Sequence, residues 1–197
     1  MQKAYEDIVS TYIDKQVGVS QRFLSDSLAT ALRVNLIALN SGNQLKEAGI
    51  GNRAKRTIDL SNRGDKIFWL DRSHKDVFEN QFLDQMDEFV SYLNRTCYTG
   101  ITAYEFHYAL YEKGTFYKRH LDQFQDNKSR AFTMIMYLNV DWKEEDGGNL
   151  CIYHENHKQI INPKNGSCVF FKSTDLEHEV LSCNQQRLSI TGWFKTS

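Results

Sequence analysis

The sequence predicts a mainly-β domain of the α+β class, a barrel or jelly roll with helices packed on its outside. Short β-branched and aromatic segments crowd the second half: ITAYEFHYALY, AFTMIMYLNV, NLCIYH, KQIINP, SCVFF and RLSITGWF. Many short strands punctuated by Gly and Asn suit such an architecture. The first half instead carries apolar residues at helical spacing. One proline and no low-complexity stretch leave no sign of a linker in the 197 residues. We therefore expect one domain over 1–197, with a helical and strand-bearing part at 1–98 and a β core at 99–195.

Residues 25–40, SDSLATALRVNLIALN, place Leu28, Leu32, Leu36 and Leu39 on one face, with Ser25 as N-cap. Residues 75–96 align Val77, Phe78, Phe82, Met86, Phe89, Val90 and Leu93 in the same way. Between these helices the chain is polar and glycine-containing, a loop by composition, and ends in DKIFWL, a strand. Gly147-Gly148, Asn165-Gly166 and Asp126-Asn127 read as turns, Asn165-Gly166 as a hairpin turn.

Composition excludes several classes. A net charge of -1, from 24 basic and 25 acidic residues, gives no reason to expect nucleic acid or membrane as a partner. No apolar run approaches a membrane span, and the N-terminus does not read as a targeting signal. A cytoplasmic monomer is the expectation. Cys97, Cys151, Cys168 and Cys183 form no C-x-x-C pair, so reduced, mostly buried thiols are expected rather than a zinc ribbon.

The chemistry lies in YEKGTFYKRHLDQF. Residues two apart in a strand share a face. His120 and Asp122 can therefore offer an imidazole and a carboxylate to one ion. His178, 56 residues after Asp122 in DLEHEV, can supply the third ligand. Two His and one carboxylate on one side of an ion leave the other side open, the facial triad of non-haem Fe(II) oxygenases. An H-x-D triplet alone occurs on many protein surfaces. Arg187 strengthens the case. On a strand it shares a face with Ser189 and Thr191, and a buried guanidinium needs a carboxylate partner. His154 and His157 read as turn residues that do not share a face.

Together GTFYKRHLD, MIMYLNVDW, GGNLCIY, HEV and RLSITGWF, with RGDKIFWL upstream, resemble the prolyl 4-hydroxylase branch of the Fe(II)/2-oxoglutarate dioxygenases. The likeness spans roughly residues 8–195 and is strongest to the hypoxia-inducible-factor prolyl hydroxylases and their bacterial relatives. It implies a double-stranded β-helix (jelly roll) with N-terminal helices outside the barrel. It implies Fe(II) on His120, Asp122 and His178, with 2-oxoglutarate and O2 as co-substrates and ascorbate as a candidate reductant. Arg187 and Tyr137 match the pair that holds the distal carboxylate of 2-oxoglutarate. Leu150 and Thr191 match co-substrate pocket positions. Arg130, Trp193 and Tyr111 fall on the substrate side, and loop 43–63 is the candidate lid. The implied reaction is hydroxylation of a protein substrate presenting a proline, with release of succinate and CO2.

Two departures stand out. Leu110 falls where the family carries a co-substrate-contacting tyrosine, leaving Tyr108 or Tyr111 to replace it. STDLEHEV replaces a turn with an arginine pair and Asn-Pro. Both leave the substrate open. Hydroxylation of a free amino acid or other small molecule is the alternative within the enzyme class. A non-catalytic, cupin-like ligand-binding barrel is the alternative outside it.

Overall fold

A computed structural model describes residues 2–49, 59–123 and 129–196. The helix expected at 25–40 runs Asp26–Ser41 (α2), and the Ser25 hydroxyl caps it by accepting the Leu28 N–H. The helix expected at 75–96 runs Val77–Cys97 (α3). Asp76 caps it, accepting from the N–H groups of Phe78 and Glu79.

The inward face of α3 differs from expectation at its start. Phe82, Met86, Phe89 and Leu93 are buried, but Val77 is 72% exposed and Phe78 is also exposed. Val77 lies five residues before Phe82, about 140° around the cylinder at 3.6 residues per turn. Glu79 takes the inward position of the first turn, where it meets His74 Nδ1 at 2.9 Å.

Two further elements carry too weak a signal to be expected. Helix α1 (Gln2–Lys15) buries only Ala4, Tyr5 and Ile8, and β1 (Val17–Ser20) is four residues long. A two-residue strand, β2 (Lys46–Glu47), interrupts the expected loop.

The remaining strands are β3 (Asp65–Trp69), β4 (Ile101–Tyr111), β5 (Tyr117–His120), β6 (Arg130–Tyr137), β7 (Leu150–Tyr153), β8 (Lys158–Ile161), β9 (Cys168–Lys172), β10 (Glu177–Val180) and β11 (Arg187–Thr196). They form two antiparallel sheets. The larger has the order β1-β9-β6-β11-β4-β3-β2 and the smaller β5-β10-β7-β8. The jelly roll is thus present, and the N-terminal part adds three strands to its larger sheet. Asn165-Gly166 does not close a hairpin. It joins β8 of the smaller sheet to β9 of the larger, so the turn changes sheets rather than reversing within one. The turn expected at Asp126-Asn127 lies outside the described residues. All four cysteines are free thiols, and Cys97 alone among them is exposed. No helix among the described residues is long and apolar enough to cross a membrane.

Strand alternation divides the larger sheet into two faces. Phe106, Tyr108 and Leu110 of β4, Met134 and Met136 of β6, and Ile190 and Phe194 of β11 pack against the helices. Ala109, Tyr111, Ile135, Tyr137, Val169 and Phe171 face the smaller sheet. Phe89 of α3 anchors the helical side, its ring 5.0–5.9 Å from those of Tyr5, Phe23, Phe170 and Phe194. Gly192 makes room there: a Cβ would meet the Phe106 ring at 2.1 Å.

Phe89→Ala should cost about 3–5 kcal/mol in urea denaturation, as for other buried aromatics. Val77→Ala should stay within about 0.5 kcal/mol, the range of an exposed position.

Candidate metal centre

The two sheets bring together three residues far apart in sequence. β5 pairs with β10 so that His120 lies opposite His178. Asp122 falls two residues beyond the end of β5. The strand alternation that suggested pairing it with His120 therefore does not reach it, and other contacts hold it in place. Ligand atoms of His120, Asp122 and His178 all lie within 4.8 Å of one another, the one such group of three among the described residues. His120 Nε2 is 3.5 Å from Asp122 Oδ1, and His178 Nε2 is 3.3 Å from Asp122 Oδ2.

Both rings are set for ligation. Nδ1 of His120 lies 2.7 Å from the Lys118 carbonyl, and Nδ1 of His178 lies 3.2 Å from that of Leu176. A carbonyl only accepts, so each Nδ1 carries a proton, and Nε2 is the ring nitrogen left facing Asp122 and the metal position. Burial, with His178 alongside, lowers the His120 pKa and favours the neutral, ligating form. Burial would raise Asp122, but His178 and His120 outweigh it and hold the carboxyl well below its usual range. Two imidazoles, one carboxylate and no thiolate suit Fe(II).

The same cavity reaches Arg187. This side chain is 1% exposed. Its Nε donates to the Gly148 carbonyl at 2.8 Å, and Nη1 donates to Ser189 Oγ at 3.2 Å. Gly148 has φ +63°, and a Cβ there would crowd Arg187 Cδ at 3.0 Å. Nη2 of Arg187 and the hydroxyl of Tyr137 are both buried with no partner. The Arg187 guanidinium carbon lies 5.2 Å from the Tyr137 ring centre and 5.0 Å from that of Tyr111. Burial raises the Tyr137 pKa to about 12, so the hydroxyl keeps its proton for donation. Two orphaned donors, one on the buried cation and one beside it, fit an incoming carboxylate.

The other expected residues fall as follows. Leu150, Thr191, Trp193 and Tyr111 line the cavity. Tyr111 faces inward beside Arg187, whereas Tyr108 and Leu110 pack toward the helices, so Tyr111 is the tyrosine available at that end. Arg130 lies over the Trp193 ring at 3.4 Å and pairs with Glu105 at 3.0 Å. Of the candidate lid 43–63, residues 50–58 lie outside the described residues. His154 and His157 contradict the expectation that they do not share a face. The turn closed by the His154 N–H on the His157 carbonyl stacks their rings 4.3 Å apart and 2° from parallel.

Several neighbours are not apparent from sequence. Arg63 makes a two-pronged ion pair with Asp65, at 2.6 and 2.9 Å, and lies over Tyr117. Tyr117 in turn stacks on His120, ring centres 3.6 Å apart. Strand alternation would put Tyr117, three residues before His120, on the other face; the β5–β10 register shifts between the two positions, and nothing local ties Arg63 to Tyr117. His107 sits between Trp69 and Trp193 with both ring nitrogens unpartnered.

The 2OG-Fe(II) oxygenase superfamily model matches residues 106–195. A crystal structure of a Pseudomonas putida prolyl-4-hydroxylase is 30% identical, with a TM-score of 0.88, covering 98% of this chain and 99% of that one. A Trichoplax adhaerens prolyl hydroxylase, solved with a hypoxia-inducible-factor oxygen degradation domain peptide fragment, is 25% identical, with a TM-score of 0.87, over 98% and 91% of the two chains. Human Egl nine homolog 1 is 32% identical over 67% of this chain, and the matched stretch is 33% of that protein's length. The chain thus spans well under two thirds of that curated relative.

Burial, with Arg63 nearby, depresses the His107 pKa to about 3. The unfolded chain takes up this proton near pH 6.5, so stability should fall as pH drops from about 6.5 toward 3, by up to about 1.4 kcal/mol per unit. His107→Phe should flatten that slope in melts compared at pH 7 and pH 5. With the fold, the triad and these relatives in hand, the chain belongs to the Fe(II)- and 2-oxoglutarate-dependent oxygenases, in their prolyl 4-hydroxylase branch.

Proposed function

We propose that this oxygenase hydroxylates proline within a peptide or protein segment. One observation carries the co-substrate end of this reading: Arg187 and Tyr137 present unpartnered, buried donors in the cavity that also holds the His120, Asp122 and His178 cluster. His120, Asp122 and His178 would hold Fe(II). Arg187 and Tyr137 would clasp the distal carboxylate of 2-oxoglutarate, with Tyr111 beside them and Leu150 and Thr191 as walls. Bound together, iron and 2-oxoglutarate supply O2 activation, giving succinate, CO2 and a hydroxylated substrate.

The protein's own residues orient the reactants and exclude water. The Arg63–Asp65 pair supports Tyr117, whose ring backs the His120 imidazole. On the substrate side, the half-exposed Trp69 offers flat apolar surface to a pyrrolidine ring, with the buried Trp193 6.3 Å from it as backing. Arg130, stacked on Trp193 and paired with Glu105, adds a cationic edge for main-chain carbonyls. The Trichoplax adhaerens relative with its bound peptide supports a polypeptide substrate over a free amino acid.

Purified protein with Fe(II), 2-oxoglutarate and ascorbate should form succinate, and proteins from a cell extract should gain one oxygen on proline by mass spectrometry. Oxygen gained on free proline alone would favour the small-molecule reading. No succinate under any condition would reject an active enzyme. Arg187→Ala should raise the 2-oxoglutarate KM by roughly 10- to 100-fold, as expected for a charge-assisted hydrogen bond worth about 1.5–3 kcal/mol. His178→Ala should lose iron and turnover together.

A further inference from the structure

Asp122 lies past the end of β5, so no strand ladder fixes its side chain. Thr133, on the inner face of β6, reaches it instead. The Thr133 hydroxyl donates to Asp122 Oδ2 at 2.8 Å. On its other side it lies 2.9 Å from the hydroxyl of Ser173, which follows β9. Both residues are 0% exposed. A threonine hydroxyl has one proton, and an ionised carboxylate only accepts. Once Thr133 gives its proton to Asp122, Ser173 must be the donor to Thr133.

The direction of both bonds is therefore fixed, from Ser173 to Thr133 to Asp122. The chain's far end is anchored in the main chain. Ser173 N–H donates to the Ala131 carbonyl at 3.1 Å, and the Ser173 carbonyl accepts the Gln123 N–H at 3.3 Å. Ser173 is thus tied both to β6 and to the residue following Asp122.

We propose that Thr133 and Ser173 are positioning residues that clamp the rotation of the Asp122 carboxylate. Thr133 holds Oδ2, which also lies 3.3 Å from His178 Nε2, and with Oδ2 pinned the plane of the carboxylate is set so that Oδ1 stays on the His120 side. Hydroxyls in such a chain polarise one another. The clamp acts through Asp122 alone and rests on the assignment of the triad as the iron site.

The test uses the full chain and Mn(II) as probe, followed by electron paramagnetic resonance of the free ion. Thr133→Val, close in shape but without the hydroxyl, should weaken Mn(II) binding by ~10- to 100-fold, the usual cost of losing a second-layer partner. Ser173→Ala should weaken it less. Thr133→Ser should restore it to within roughly threefold of wild type, because the donor returns. The double variant Thr133→Val/Ser173→Ala should bind like Thr133→Val alone, since residues acting in series are non-additive. A structural role without a clamp would lower the melting temperature of the metal-free variants and leave their Mn(II) affinity unchanged. That outcome overturns the proposal, as does a Thr133→Ser variant no better than Thr133→Val. If Thr133→Val does not fold, Ser173→Ala and Thr133→Ser still decide: wild-type affinity in the first, or a loss of roughly 10-fold or more in a folded second, rejects the clamp. A wild-type chain that leaves Mn(II) free, or a His178→Ala chain that binds as wild type does, removes the triad assignment itself and the clamp with it.

Discussion

A guanidinium buried without a carboxylate is the constraint on which the site depends. Arg187 is sealed between the sheets with a carbonyl and a hydroxyl as its partners. Such a cation is costly unless a charge arrives to meet it. The Gly148 cradle and the inward Tyr111 and Tyr137 rings surround that one group, whose Nη2 is left without a partner. A dicarboxylic co-substrate answers the requirement, and its other end then falls within the same cavity as the metal ligands.

Period-two alternation turns this requirement into a layout. Along β11, Leu188, Ile190 and Phe194 face the helices, while Arg187, Ser189, Thr191 and Trp193 face the smaller sheet. A register shift of one residue would turn Phe194 toward the smaller sheet and Arg187 toward the apolar helical side. The two cores thus enforce one another. The helical side, centred on Phe89, Phe170 and Phe194, fixes which face of each strand is left for chemistry. The second sheet then brings His178 against His120 through strand pairing alone.

Electrostatics within the cavity divide into two regions. Around the triad, two inward imidazole nitrogens and a carboxyl held well below its usual range present donors for a divalent cation. Beyond it Arg187 provides positive charge for the co-substrate. At the mouth, Glu105 is held between Arg130 and Lys195, which fixes Arg130 over Trp193 rather than leaving it to swing in solvent. His107, kept neutral by burial, adds polar edges between two tryptophans without adding charge.

Much of this was legible in the residues themselves. Helices α2 and α3, most strands of the β core and the triad follow from local periodicity and ligand chemistry, which chain order preserves. Arg187 and Tyr137 followed from strand alternation and family likeness. Tertiary structure alone decided the rest, because it depends on which segments meet. It turned Val77 outward, made Asn165-Gly166 a change of sheet, and chose Tyr111 over Tyr108 by strand phase. It also linked Ser173, Thr133 and Asp122, which no spacing in sequence connects. The sequence by itself determined which groups could bind iron. Only the packing of two sheets decided what holds those groups still, since hydrogen bonds between distant strands leave no periodic trace in the chain.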